Sequence, residues 1–186
     1  MSFDFKKEQR EYYCPSVRPH VVFVPQMRYL SIAGEGRCPQ SDEPDFSLLR
    51  HVASALRDAP RCGHDCPGFQ NYVLPPPEMM TWKEGRRALW KRLYRLPDFF
   101  SHEDVEWALA YVSGKKGIDA GSIRMETISE GMCAQMLCQD KPARKAREEL
   151  SAYIASFGYR EDIGPVRPVH EIILSSHRVV LRIPIV

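Results

Sequence analysis

The chain has 186 residues, of which 44% are hydrophobic and 27% are charged, and its formal net charge is only +2. This composition excludes a disordered chain, and basic residues spread along the sequence argue against nucleic acid as a direct partner. Six cysteines at this length do not indicate a disulfide scaffold, so we expect free thiols. A polar start without a secretory segment, and no apolar run near the ~20 residues of a membrane span, predict a cytoplasmic protein with no membrane partner.

The first half of the chain is predicted to contain four strands and one helix after a polar arm. Pro25 is expected to end the first strand, because proline lacks the N–H that a strand ladder uses. Leu49, Val52 and Leu56 recur at helical spacing and predict a helix around them. The expected elements are an arm at 1–18, strands at 20–24 and 27–34, a helix at 44–58, and strands at 69–74 and 78–84.

The second half begins with a basic, aromatic stretch, 86–94, that we interpret as a strand. Ser101 resembles a helix N-cap with Asp104 three residues later, and Gly114 and Gly117 are expected to end that helix. The expected elements after it are a hairpin of strands 122–128 and 131–138 turning at 129–131, a helix from 142 to 158, and a closing hairpin of strands 170–174 and 178–185.

The same order of elements therefore recurs in residues 20–84 and 122–186, with a helix-bearing connection at 85–121. Recurrence of this kind indicates a duplicated unit. We predict a single α+β domain over residues 1–186, made of two pseudo-symmetric strand–helix–strand–strand modules. Its antiparallel sheet would carry helices on one face and a ligand groove on the other.

Five short segments, in this order and spacing, resemble the GyrI-like small-molecule-binding superfamily, most strongly its stand-alone members. The segments are Asn71–Trp82, Leu96–Phe99, Arg124–Thr127, Glu130–Cys133 and His170–Leu174. The resemblance spans residues 20–186 and implies the duplicated fold and a central groove for hydrophobic, often cationic, compounds. It also implies relatives that sense drugs, inhibit gyrase or bind small molecules. Some stand-alone relatives hydrolyse cyclopropane-bearing genotoxins.

Glu171 is the main candidate for chemistry, because it interrupts an apolar strand. If Ile172 and Leu174 pack on the helices, strand alternation turns Glu171 towards the groove. Partial desolvation would raise the pKa of this carboxyl, which suits pairing with a cationic ligand or action as a general base on water. The resemblance implies a functional glutamate in this strand. The alternative is an edge-strand glutamate paired with a nearby Arg or Lys.

Five further side chains are candidate ligand contacts. Tyr72 is the rough counterpart of Glu171 in the first half, with an ordinary cross-strand aromatic as the alternative. Trp82 is the expected aromatic wall, and the resemblance implies a second tryptophan beside it where this chain has Thr81, so Trp90 is expected to supply that wall. Phe99 would close one end of the groove. Glu78 could act at its mouth, as the acid that a hydrolase needs besides a base.

The cysteines offer two weaker candidates. Cys62, His64 and Cys66 bring metal-ligand types into five residues, but no second Cys–His pair follows at zinc-site spacing. We therefore expect a loop with free thiols, and neither a metal nor another cofactor. Cys133 could act as a nucleophile only beside a base, for which His170 is a conceivable partner.

Three functions remain open from the sequence. The first is a binder that sequesters or senses a hydrophobic or cationic small molecule. The alternative is a hydrolase of cyclopropane-bearing or other electrophilic toxins that uses Glu171. A third is an inhibitor acting by protein–protein contact, which would require an exposed apolar patch away from the groove. The first two use the same groove, so the sequence does not separate them.

Overall fold

The computed structural model describes residues 2–37, 44–117 and 119–186. Within these ranges the strands are β1 (His20–Glu35), β2 (Glu78–Glu84), β3 (Arg87–Leu96), β4 (Arg124–Gln139), β5 (Val169–Ser175) and β6 (Arg178–Pro184). The helices are α1 (Phe5–Glu8), α2 (Arg10–Tyr13), α3 (Pro44–Arg57), α4 (His102–Lys116) and α5 (Ala143–Ser156), with a 3-10 turn at Ala59–Cys62. All strand pairs are antiparallel, and the sheet closes into a barrel in the order β1-β3-β2-β5-β6-β4.

The order strand, helix, strand, strand occurs twice along the chain. The first run is β1, α3, β2 and β3, and the second is β4, α5, β5 and β6. The predicted α+β class with an antiparallel sheet is confirmed. Strand β3 completes the first run, although its residues had been assigned to the connection 85–121.

Two predicted strand breaks are wrong, because β1 and β4 are each one long strand of 16 residues. Pairing between them continues on both sides of Pro25, from Val24–Gly131 to Gln26–Ser129. The ladder with β3 begins only at Arg28, so the segment around Pro25 has a partner strand on one side alone. Gly131, at φ 67°, introduces an irregularity within β4 rather than a hairpin turn.

The predicted strand at 69–74 is also wrong, since these residues contribute only an isolated bridge between Tyr72 and Phe3. Three prolines follow at 75–77 and supply no N–H groups to a ladder. Local signals did predict other elements correctly. Ser101 and Asp104 form a reciprocal capping box at the start of α4, and Gly117 ends that helix at φ 64°. The closing hairpin is confirmed as β5 and β6.

The two faces of the sheet differ in what covers them. Helix α3 packs on β1 and β3, α4 packs on α3, and α5 packs on β4 and β6. We call this helix-bearing side the outer face. On the other side, the rings of Tyr29 in β1 and His170 in β5 are 6.2 Å apart, although these strands lie three positions apart in the barrel. This inner face is therefore an enclosed core.

Residues 2–19, the N-terminal segment, cover the inner face. Tyr13 and Phe5 are buried there, and the backbone N–H of Leu137 donates to Ser16 O at 2.9 Å. Gln135 Nε2 donates to the carbonyl oxygen of Glu11 at 2.7 Å. The segment predicted as a polar arm thus contributes to the buried core of the barrel.

The state of the cysteines and the length of the helices bear on two further expectations. The five described cysteines, Cys14, Cys62, Cys66, Cys133 and Cys138, all carry free thiols. Of the helices in the described ranges, none has the length and apolar character needed to cross a membrane.

Gly34→Ala is expected to lower the free energy of unfolding by about 1–3 kcal/mol, because there is no room for the added methyl group. Gly34 lies opposite Trp90, and an added Cβ would sit 2.2 Å from the indole Cζ2. Urea unfolding followed by tryptophan fluorescence measures the effect. Gly114→Ala in α4 is the matched control, since its Cβ would meet nothing within 4 Å. Equal stability of both variants would contradict the packing of Trp90.

Candidate functional site

The inner face holds a group of buried polar side chains contributed by four strands. We call it the inner polar cluster: Glu78 of β2, Glu130 and Gln135 of β4, His170 of β5 and Arg182 of β6. None of these residues is more than 5% exposed. Buried charges are rare unless they are paired. The charged side chains of this cluster must therefore pair with one another or have a role in function.

His170 lies between two carboxylates. Its Nε2 is 2.7 Å from Glu78 Oε2 and its Nδ1 is 3.0 Å from Glu130 Oε1. Neither contact has hydrogen-bond geometry, so both act as ion pairs. The second oxygen of Glu130 has no hydrogen-bond partner among the described residues.

Arg182 neutralises the other side of Glu130. Its Nη1 donates to Glu130 Oε1 at 2.7 Å, and its Nε donates to Gln135 Oε1 at 3.2 Å. Its Nη2 donates to the backbone oxygen of Tyr12 at 3.3 Å, which links the cluster to the N-terminal segment. The guanidinium is therefore fixed by hydrogen bonds from all three of its nitrogens.

The pKa values follow from burial and these neighbours. Burial disfavours the charged form of His170, but Glu130 and Glu78 outweigh it and raise the pKa of the imidazole to about 9. Burial likewise opposes ionisation of Glu130, but Arg182 and His170 lower its pKa to about 2. At neutral pH, His170 is thus a cation and Glu130 is an anion.

Two tyrosines complete the inner face around Glu78 and His170. Tyr13 Oη donates to Glu78 Oε1 at 3.0 Å, and the edge of the Tyr29 ring approaches His170. Burial, reinforced by the negative charge of Glu78, raises the pKa of both phenols well above 10. Both therefore remain neutral hydroxyl donors. Glu78 thus contacts both a hydroxyl donor and an imidazolium, which are groups that acid–base catalysis uses.

His170 should make stability depend on pH. Its folded pKa of about 9 exceeds the ordinary 6.5, so its contribution is complete below pH 6.5 and is lost as pH rises through 9. The loss is about 3 kcal/mol in the free energy of unfolding. Urea unfolding below pH 6.5 and above pH 9 measures it. In His170→Gln the decline should flatten, and an equally steep decline in that variant would contradict the assignment.

Three of the predicted ligand contacts meet elsewhere, in a cavity to which Glu171 and Trp90 contribute from the outer face. Glu171, Trp82 and Trp90 line one cavity of about 610 Å³ together with Thr81 and Val169, which we call the outer cleft. Burial raises the pKa of the Glu171 carboxyl there.

The condition set for the orientation of Glu171 is not met, because Ile172 does not pack on the helices. Glu171 pairs with Leu181, which packs on α5, whereas Ile172 pairs with Glu78 and faces the barrel interior. Alternation along β5 therefore puts His170, not Glu171, on the inner face.

The remaining predicted contacts lie in two further places. Glu78 is in the inner polar cluster. Tyr72 and Phe99 belong to an aromatic cluster with Phe69 and Phe100, in which the centroids of the Tyr72 and Phe99 rings are 6.3 Å apart. Tyr72 Oη donates to Ala53 O at 3.5 Å, and burial raises the pKa of this phenol. The six predicted residues are therefore not brought together in one site.

Sequence reasoning missed most of the inner polar cluster. Glu130 had been placed in the hairpin turn at 129–131, but it is buried within β4, which continues through Gly131. Arg182 interrupts the apolar strand β6 much as Glu171 interrupts β5, so the pattern applied to Glu171 could also have found Arg182. Cys133 does face this interior, but burial and the charge of Glu130 raise the pKa of its thiol to about 12, which makes it a poor nucleophile.

Comparisons with known proteins give structural relatives only. No family model matches the chain, and no curated protein matches it. Two Listeria innocua structures, described as a hydrolase and as an uncharacterized conserved protein, are each 28% identical and cover 100% of both chains, with TM-scores of 0.89 and 0.87. The EcmrR C-terminal domain, 12% identical, covers 91% of this chain and 97% of its own, with a TM-score of 0.55. The last similarity shows the fold alone.

Proposed function

We propose that the chain is a hydrolase of a small, apolar, electrophilic molecule, and that the inner polar cluster is its reacting site. The observation that carries the proposal is His170 held between Glu78 and Glu130 in a closed interior. The Listeria innocua relative described as a hydrolase supports the reaction class, since it is 28% identical over the whole chain. The resemblance to the GyrI-like superfamily supports strained, cyclopropane-bearing compounds as the substrate class.

Glu78 and His170 provide the proton transfers of such a reaction. Water attacks the electrophilic carbon and gives one proton to the Glu78 carboxylate, while the bond to the leaving atom breaks. The leaving atom takes a proton from the His170 imidazolium. The proton on Glu78 then returns to His170 across their 2.7 Å contact, so the product is one water heavier and the site is restored.

A substrate reaches this site only if part of the cover moves, because Glu78 and His170 are both fully buried. The N-terminal segment is the candidate for that movement. Its helices have only four residues each, and Tyr13 Oη donates directly to Glu78. Displacing Tyr13 frees one oxygen of Glu78 for water.

Binding without reaction is the second candidate, and the outer cleft favours it. Two tryptophans and the Glu171 carboxylate line one cavity of about 610 Å³. Aromatic faces beside a carboxylate suit a flat or cationic apolar ligand. In this case Glu171, Trp82 and Trp90 would act as the ligand contacts, as expected from the sequence.

Incubation with a cyclopropane-bearing alkylating compound, followed by mass spectrometry, tests the proposal. We expect a ring-opened product one water heavier that accumulates over many turnovers. The binder predicts a different result, namely no product but saturable quenching of tryptophan fluorescence that Glu171→Gln weakens. Binding without product would overturn the proposal of a hydrolase.

A further inference from the structure

Three potential metal ligands of different chemistry meet outside the inner polar cluster. His64 and Cys66 lie in the loop that follows the 3-10 turn, and Asp104 lies in the first turn of α4. One ligand atom from each residue lies within 4.8 Å of the other two. His64 Nε2 is 2.8 Å from Asp104 Oδ1.

Two of these side chains, Asp104 and His64, are held in place by their neighbours. Asp104 Oδ2 accepts hydrogen bonds from the backbone N–H and the hydroxyl of Ser101, both at 2.8 Å, which leaves Oδ1 directed at His64. The His64 ring stacks on Trp107 with centroids 4.3 Å apart. Such supporting contacts orient the ligands of known metal sites.

The loop backbone also presents the ligands in a fixed geometry. The N–H of His64 donates to Ala59 O at 3.0 Å, and the N–H of Phe69 donates to Cys66 O at 3.0 Å. Gly63 and Gly68 take the positive φ values of 81° and 77° that reverse the chain on either side. Cys66 and Asp104 are each only 3% exposed, so these two ligands are shielded from water.

We infer that His64, Cys66 and Asp104 bind a single transition-metal dication, with Zn²⁺ as the ion that the donors favour. One imidazole nitrogen, one thiolate and one carboxylate are all zinc ligands, and a thiolate disfavours Mg²⁺ and Ca²⁺. Three protein ligands leave a fourth, open position for water. On binding, the Cys66 thiol releases one proton to solvent and neutral His64 coordinates through Nε2, so affinity increases with pH.

The site explains why residues 62–66 lacked a complete set of zinc ligands in the sequence. Cys62 is not one of the three ligands, because its Sγ lies 3.3 Å from Tyr111 Oη instead. Asp104 takes its place, 40 residues after His64. A bound ion would tie the loop to the start of α4 and stabilise this part of the chain, independently of any hydrolysis.

Titration of the full chain with Co²⁺ alone tests the inference. We expect one equivalent to bind with a thiolate-to-cobalt absorption band, quenching of Trp107 fluorescence and displacement by Zn²⁺. Zn²⁺ should also raise the melting temperature. Cys66→Ser should weaken binding at least about 100-fold. The matched control is Cys62→Ser, which removes a nearby exposed thiol outside the ligand set and should leave binding unchanged.

His64→Gln keeps the test decisive if Cys66→Ser does not fold, because His64 is partly exposed. It should also abolish one-equivalent binding. Absence of a thiolate band in the wild type, or a band that survives in His64→Gln, would overturn the inference. So would a band lost equally in Cys62→Ser. In each of these cases the contact between His64 and Asp104 would only hold the loop against the start of α4.

Discussion

Glu78→Gln should lower the rate of hydrolysis by at least about 100-fold, because an amide cannot accept the proton of the attacking water. Gln has the size of Glu and can still accept from Tyr13 Oη, so the barrel should remain folded. Steady-state rates measured by product mass, with circular dichroism as the check on folding, give the result. The loss should appear in kcat, since Glu78 acts in the transition state rather than in binding.

Glu171→Gln is the matched control for this experiment. The two glutamates sit on neighbouring strands but on opposite faces, because Met79 pairs with Glu171 and Glu78 pairs with Ile172. The same chemical change on the outer face should leave the rate nearly unchanged. Turnover that survives in Glu78→Gln but is lost in Glu171→Gln would instead support the glutamate expected from the sequence.

Arg182→Met should lower the free energy of unfolding by about 3–5 kcal/mol. The substitution removes the hydrogen bond to Glu130 and leaves that buried carboxylate with His170 as its remaining cation. Urea unfolding by circular dichroism measures the change. The double variant Glu130→Gln/Arg182→Met should recover part of the loss, because it no longer buries the uncompensated charge.

An exposed ion pair supplies the comparison for Arg182. Arg144 pairs with Glu148 on the surface of α5 at 2.8 Å, and both side chains are more than half exposed. Arg144→Met should change the free energy of unfolding by less than about 1 kcal/mol. If Arg182→Met were no more destabilising than Arg144→Met, Arg182 and Glu130 would not form the buried pair described above.

Elements with local signals could be predicted from the sequence. Ser101 and Asp104 cap α4 through contacts three residues apart, and β5 and β6 are joined by a short turn. Both features are decided within a few residues of chain. Pro25 and Gly131 gave wrong predictions, because each residue by itself favours the end of a strand. The long pairing of β1 with β4 continues past both of them.

The inner polar cluster could not be predicted, because it depends on closure of the barrel. Glu78, Glu130, His170 and Arg182 come from four strands and meet only when the sheet curves upon itself. Glu130 and Gln135 both contact Arg182 in the interior although their separation along β4 is odd, so alternation counted along the sequence fails between them. The proximity of Trp82 and Trp90 was easier to anticipate, since they lie on strands β2 and β3, which pair directly.

The position of an unreacted substrate in a crystal of Glu78→Gln is the most direct test of the reacting site. We predict that the electrophilic carbon lies on the inner face beside His170, with Tyr13 displaced from its contact with residue 78. A substrate bound in the outer cleft against Trp82 and Glu171, with Tyr13 and the N-terminal segment in place, would contradict the account.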